Sequence, residues 1–182
     1  MPDRLWYLAY GSNMQSATFR GRRGITWTQA LVARLANWRL VLDKPPLIPL
    51  GGNGFATIVP ENGAAVLGVA YEIGRDDLAH VDLTEGVLIG NYRRVEVEIA
   101  PLATSTPLRA FTLISERRDP SLRPSPQYMA LLIEGALEHG LPHEYVEFLR
   151  GIPTHEESEQ ARAARGVLDD ALKVMRRKDS DG

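Results

Sequence analysis

Two short stretches of this 182-residue chain hold residue types that could work together chemically. The first is Gly11-Ser12-Asn13, where the apolar run Leu5-Trp6-Tyr7-Leu8-Ala9-Tyr10 stops. A strand that ends this way before a helix aims several backbone N–H groups at one point, a setting that suits a carboxylate-sized ligand. The same three residue types are also ordinary turn and capping residues. The second is Glu85, within the mostly apolar Leu83-Thr84-Glu85-Gly86-Val87. A carboxylate at the end of a helix and partly removed from water is a common setting for a proton acceptor, although a solvated surface glutamate has an equal claim.

Other candidates carry less. Ser12 as a nucleophile would need His80 and Asp82 as helpers, but it lacks the flanking glycines of a nucleophile elbow, and the two helpers sit too close together for an ordered base and its orienting acid. His139 and His143, followed by Glu144, have the spacing of a zinc helix. The intervening Gly140-Leu141-Pro142 breaks that helix, so the two imidazoles need not share a face. Gly51-Gly52-Asn53-Gly54 lacks the Lys-Ser/Thr of a phosphate loop and reads as a turn.

The elements around these residues follow from periodicity. Residues 5–10 are apolar on both faces and predict a central strand. A short helix is expected in 14–22, then one or two strands in 30–44, ended by Pro45 and Pro46. A loop leads to a strand in 54–60, and 64–73 reads as another buried strand. Acids at its start, Leu78, Val81 and Leu83 to bury, and Gly86 to stop it predict a short helix over 75–86. Val95, Val97 and Ile99 alternate with Arg94, Glu96 and Glu98, a half-buried strand whose partner is expected in 107–117. Ser125-Pro126 suits the cap and first turn of a helix ending at Gly140, and a shorter helix follows in 142–151. Beyond Glu156 a charged helix is expected, with Val167, Leu168, Ala171, Leu172 and Met175 on one side. Strands first and helices last argue for α+β with a curved or closed, mostly antiparallel sheet.

Composition narrows the class. The length fits one domain. A net charge of −2 with 24% charged residues does not suggest a strongly basic nucleic-acid binder. The absence of cysteine removes disulfide scaffolds, thiolate metal sites and cysteine nucleophiles, and is compatible with a reducing cytoplasm. No stretch reaches the ~18 apolar residues of a membrane helix, so a soluble, cytoplasmic protein is expected.

Four stretches taken in order, Tyr10–Met14, 54–60, 82–99 and 124–149, resemble the γ-glutamylcyclotransferase family, over about residues 5–152. The last block favours the branch acting on γ-glutamyl amino acids over the shorter glutathione-specific relatives. The resemblance implies a small, mostly antiparallel β-barrel flanked by helices. It also implies a reaction in which the α-amino group of a γ-glutamyl compound attacks its own side-chain carbonyl, closing 5-oxoproline and releasing an amino acid or amine. Glu85 then matches the catalytic glutamate. Tyr10, Gly11, Ser12 and Asn13 match the substrate loop, and Tyr92 and Tyr128 match aromatic positions near the pocket.

No metal or organic cofactor is implied. The expected partner is a small γ-glutamyl substrate, with no nucleic acid and no membrane, and a homodimer is allowed for. Residues 1–153 form the expected domain, with 154–182 a helical extension of it. The alternatives are removal of a γ-glutamyl protecting group from a larger metabolite and a module that binds γ-glutamyl compounds or 5-oxoproline without turnover. Residues 44–53 depart from the family loop, which bears on the leaving-group side of the pocket.

Overall fold

A computed structural model describes residues 4–47, 52–104, 106–155 and 163. Five strands close a barrel: β1 (Arg4–Ala9), β2 (Gln29–Lys44), β3 (Phe55–Gly74), β4 (Arg93–Pro101) and β5 (Leu108–Ile114). Their order is β1-β3-β2-β4-β5, and every pairing is antiparallel except that of β5 with β1, which meet at Phe111 and Tyr7. The α+β barrel expected from the sequence is therefore present. Among the described residues three α-helices flank it: α1 (Arg75–Thr84), α2 (Pro126–Glu138) and α3 (His143–Arg150).

The strands expected in 54–60 and 64–73 are one continuous strand of 20 residues, and 30–44 is likewise one strand of 16. Pro60-Glu61-Asn62-Gly63 resembles a turn, yet the ladder resumes beyond it. Pairing of Trp38 with Pro60 gives way to pairing of Ala36 with Ala65. Between those pairs β3 carries residues 61–64 against Asn37 alone on β2, and Asn37 takes a positive φ of 63° and accepts a hydrogen bond on Oδ1 from Gly63 N at 3.1 Å. Asparagine tolerates that left-handed conformation better than most residues.

The barrel core is aliphatic, with Leu8, Leu35, Ile58, Val66, Val69, Ile73, Ile99 and Leu113 buried. Behind the end of β1 the packing becomes aromatic. Phe19 stacks on Tyr7 at 5.6 Å and on Tyr71 at 4.7 Å, while Trp27 lies 4.8 Å from Tyr71. The helix expected in 14–22 is a wide-turned π-helix at Ala17–Arg22, in which Arg23 N reaches Thr18 O at 3.0 Å. Such turns are uncommon and often occur beside functional sites.

α2 begins as expected. Ser125 Oγ accepts from Tyr128 N at 3.1 Å, with Pro126 in the first turn. Its buried face, Met129, Leu132, Gly135 and Ala136, seats on the turn Ser12–Met14 that follows β1. The stripe Val167, Leu168, Ala171, Leu172 and Met175 lies outside the described residues.

Candidate active site

Glu85 is placed by the end of α1. Its N–H bonds Val81 O at 3.0 Å, and Gly86 follows with φ 70°, a left-handed position that glycine adopts readily and that turns the chain off the helix. The side chain, 14% exposed, points toward the segment after β1. Glu85 Oε1 accepts from Asn13 Nδ2 at 2.9 Å and pairs with Arg23 Nη2 at 2.8 Å. Arg23 Nε also donates to Asn13 Oδ1 at 2.6 Å, so the three side chains hold one another in a triangle. Among the described residues Glu85 Oε2 has no hydrogen-bond partner. One carboxylate oxygen is fixed and the other is open.

Around that carboxylate the contacts run in a closed circuit. Asn91 Nδ2 donates to Glu85 O at 2.9 Å, and Asn91 Oδ1 accepts from Lys44 Nζ at 2.5 Å. The Lys44 ammonium lies 4.6 Å from the centre of the Tyr92 ring. Tyr92 donates its hydroxyl proton to Ala56 O at 2.9 Å, and Ala56 N donates to Tyr128 Oη at 3.2 Å. Tyr128 Oη in turn stands against Gly11, where an added Cβ would come within 3.3 Å of it. From Gly11 the chain returns through Ser12 to Asn13 and Glu85.

The phenols in this circuit are held neutral. Burial is the main cause in each: it pushes Tyr128 up to about 12, with the Ala56 N–H opposing, the Glu85 charge adding, and Ser12 opposing. Tyr7, whose hydroxyl accepts from Asn13 Nδ2 at 3.2 Å, is raised by burial and then by the charge of Glu85. Tyr92 is raised by burial first and by Tyr128 next. Proton donors are thus plentiful around a single carboxylate.

The residues singled out from sequence gather here, with differences in what their side chains face. Glu85 and Asn13 touch directly, and Tyr92 and Tyr128 share Ala56. Tyr10 is buried, and its hydroxyl donates to Leu113 O on β5, so its side chain ties the barrel shut. The segment 11–14 is a tight turn, with Met14 N on Gly11 O at 3.0 Å and Gln15 N on Ser12 O at 3.1 Å. His80 is exposed on α1 and Asp82 pairs with Arg94 at 2.6 Å, an arrangement that leaves neither as a helper for Ser12. His139 approaches Tyr71 Oη at 3.0 Å while His143 faces Glu147 at 3.7 Å, so the two imidazoles diverge. Among the described residues no group of three or more His, Asp or Glu is placed to hold a metal.

Arg23, Asn91, Lys44 and Tyr7 were not legible as site residues. Arg23 sits in the basic run Arg20-Gly21-Arg22-Arg23, which reads as a solvated turn, and only the wide turn of the helix before it brings the guanidinium back to Glu85.

Residues 65–149 match the model of the AIG2-like family. The human γ-glutamylcyclotransferase is 32% identical over 149 residues, covering 80% of this chain and 77% of its own length. The mouse γ-glutamylcyclotransferase is 30% identical over 153 residues, covering 82% and 79%. A solved structure of a γ-glutamyl cyclotransferase superposes with a TM-score of 0.75 at 28% identity, covering 94% of this chain and 99% of that one. No helix among the described residues is long and apolar enough to cross a membrane.

Proposed function

Because the chain belongs to the γ-glutamylcyclotransferase family, we propose that it releases 5-oxoproline from a γ-glutamyl compound, with Glu85 as the group that moves the proton. The observation that carries this reading is the state of the Glu85 carboxylate. Arg23 and Asn13 fix Oε1, and Oε2 is left open beside the turn at 11–14.

In this reaction the α-amino nitrogen attacks the γ-carbonyl carbon of the same molecule and closes a five-membered ring. The bond from that carbon to the departing nitrogen then breaks. The nitrogen that attacks must give up a proton and the nitrogen that leaves must gain one, so a single carboxylate can serve both. Intramolecular attack also derives much of its rate from a near-attack geometry, which the half-buried turn at Gly11–Asn13 would impose on the γ-glutamyl end. Its N–H groups and the neutral Tyr7 and Tyr128 hydroxyls would stabilise the oxyanion as the carbonyl becomes tetrahedral.

Neither a second substrate nor an enzyme nucleophile is needed. The test is incubation with γ-glutamyl dipeptides, γ-glutamylamines and glutathione, with 5-oxoproline measured directly. Release from at least one class, at a rate that scales with folded protein, is the expected result. Hydrolysis to free glutamate without 5-oxoproline would refute the cyclisation.

A further inference from the structure

On the side of the circuit away from Gly11–Asn13, two cations meet on one neutral oxygen. Lys44 Nζ donates to Asn91 Oδ1 at 2.5 Å and to Pro45 O at 3.0 Å. Arg117 Nη1 donates to the same Oδ1 at 2.9 Å, and its Nη2 donates to Pro46 O at 3.1 Å. Lys44 is only 2% exposed. Among the described residues no carboxylate bonds either cation. The stretch that follows, Ile48-Pro49-Leu50-Gly51, contributes no acid.

Placing a buried ammonium beside a guanidinium is costly unless an anion joins them. Neutral carbonyls satisfy donors but do not cancel the repulsion. Among the described residues Glu85 is the one acid that acts on the Lys44 charge, and it is already committed through Oε1 to Arg23. One further negative charge therefore fits at Lys44 and Arg117.

We propose that Lys44 and Arg117 bind a carboxylate on the departing amine, so that this pair sets the preference for leaving groups carrying an anion next to the nitrogen that is released. The inference rests on the cyclotransferase reading, in which the turn at 11–14 takes the γ-glutamyl end. Asn91 joins the pair to Glu85, and Tyr92 under the Lys44 ammonium joins it to Ala56 and Tyr128. The anion site is thus continuous with the catalytic carboxylate and lies across from the turn that would hold the other end.

Burial first, and Arg117 next, lower the Lys44 ammonium to about 8, with Glu85 opposing. Among the described residues the charged and titratable groups facing it are Arg117 from the segment after β5, Glu85 from the end of α1, and Tyr92 just before β4, which stays neutral. The lysine charge is present below that value and lost above it, so the preference should fall as pH rises through about 8.

The experiment compares γ-glutamylalanine with γ-glutamylethylamine, which has the same skeleton without the carboxylate. Both share the α-amino group, so its titration cancels in the ratio of their kcat/KM values. The parent should favour the carboxylate compound by ~10-fold or more, as expected for hydrogen bonds to a charged group. Lys44→Gln should reduce that ratio ~10-fold, chiefly through KM for γ-glutamylalanine, and Arg117→Gln should reduce it less. Lys44→Arg should restore most of the preference and remove its decline above pH 8.

If Lys44→Gln does not fold by circular dichroism, Arg117→Gln and Lys44→Arg decide alone. A ratio unchanged in the folded variants would mean that the cations only brace the Pro45-Pro46 turn. Release from both compounds without discrimination overturns this inference and leaves the cyclotransferase reading intact. If neither these two compounds nor any other γ-glutamyl compound in the panel yields 5-oxoproline, both readings are overturned.

Discussion

Two turns flank Glu85, and they are secured in opposite ways. The turn Ser12–Met14 is held by other elements: Asn13 and Met14 are buried, Tyr71 donates its hydroxyl proton to Met14 O at 2.7 Å, and α2 lies so close that a Cβ on Gly135 would fall 2.6 Å from Gln15 N. The turn Val87–Ile89 is held mainly by its own backbone, between Gly86 and Gly90, each with φ near 70°, and Val87 is its one side chain packed against the core. Leu88 is 86% exposed and Ile89 66%. The carboxylate therefore has a supported side, where the γ-glutamyl end would be oriented, and a more open side, where Val87 reaches the core but Leu88 and Ile89 stand clear of it. Proximity catalysis needs the first, while accepting different leaving groups is easier with the second.

The largest expected effect lies at the residue both turns share. Glu85→Gln keeps the shape and removes the proton acceptor, so 5-oxoproline release should fall at least ~100-fold with folding intact. A variant within about tenfold of the parent would remove Glu85 from the proton transfer and make the comparison irrelevant to catalysis.

On the supported side, Gly135→Ala should destabilise by about 1–3 kcal/mol, because overpacking against the Gln15 and Met14 backbone outweighs the gain of about 1 kcal/mol in helix propensity. Thermal denaturation reads this directly. A rise in melting temperature would show that the turn yields easily and is not a rigid support. Arg23→Met should lower turnover roughly tenfold by releasing Oε1 of Glu85 from its charged partner, in line with ~1.5–3 kcal/mol for a hydrogen bond to a charge. Steady-state kinetics on one γ-glutamyl substrate would check it. On the open side, Leu88→Ser with Ile89→Ser should change stability by less than about 1 kcal/mol, since both side chains are exposed. A larger loss in chemical denaturation would mean that this turn is braced after all.

Local rules were enough for much of the scaffold. The Ser125-Pro126 start of α2, the stop of α1 at Gly86 and the alternation in β4 each depend on neighbours within a few residues, and all three are present. The site was legible only where a motif resemblance pointed to it: Glu85, Asn13, Tyr92 and Tyr128 converge, but nothing near them in sequence names Arg23, Lys44 or Asn91. Their roles depend on contacts across 62, 41 and 6 residues to Glu85, set by barrel closure and by the wide turn before Arg23. The single strand β3 was missed for a related reason. Pro60 to Gly63 is turn-like in isolation, and the compensating distortion at Asn37 lies on another strand.

The parallel seam between β1 and β5 also bears on how the chain acquires its fold. Its ties, Thr112 Oγ1 to Leu8 O and the Tyr10 hydroxyl to Leu113 O, join residues 104 and 103 apart, whereas β2 and β3 pair as sequence neighbours. Loop-closure entropy favours the β2–β3 ribbon first, and β1 gains its second neighbour only when the last strand arrives. During synthesis, the strand leading into the Gly11–Asn13 turn would therefore wait for most of the protein to emerge. Pulsed hydrogen exchange during refolding should show amides of β2 and β3 protected before those of Tyr7 to Ala9. Simultaneous protection would indicate that the seam forms with the ribbon, as part of one nucleus.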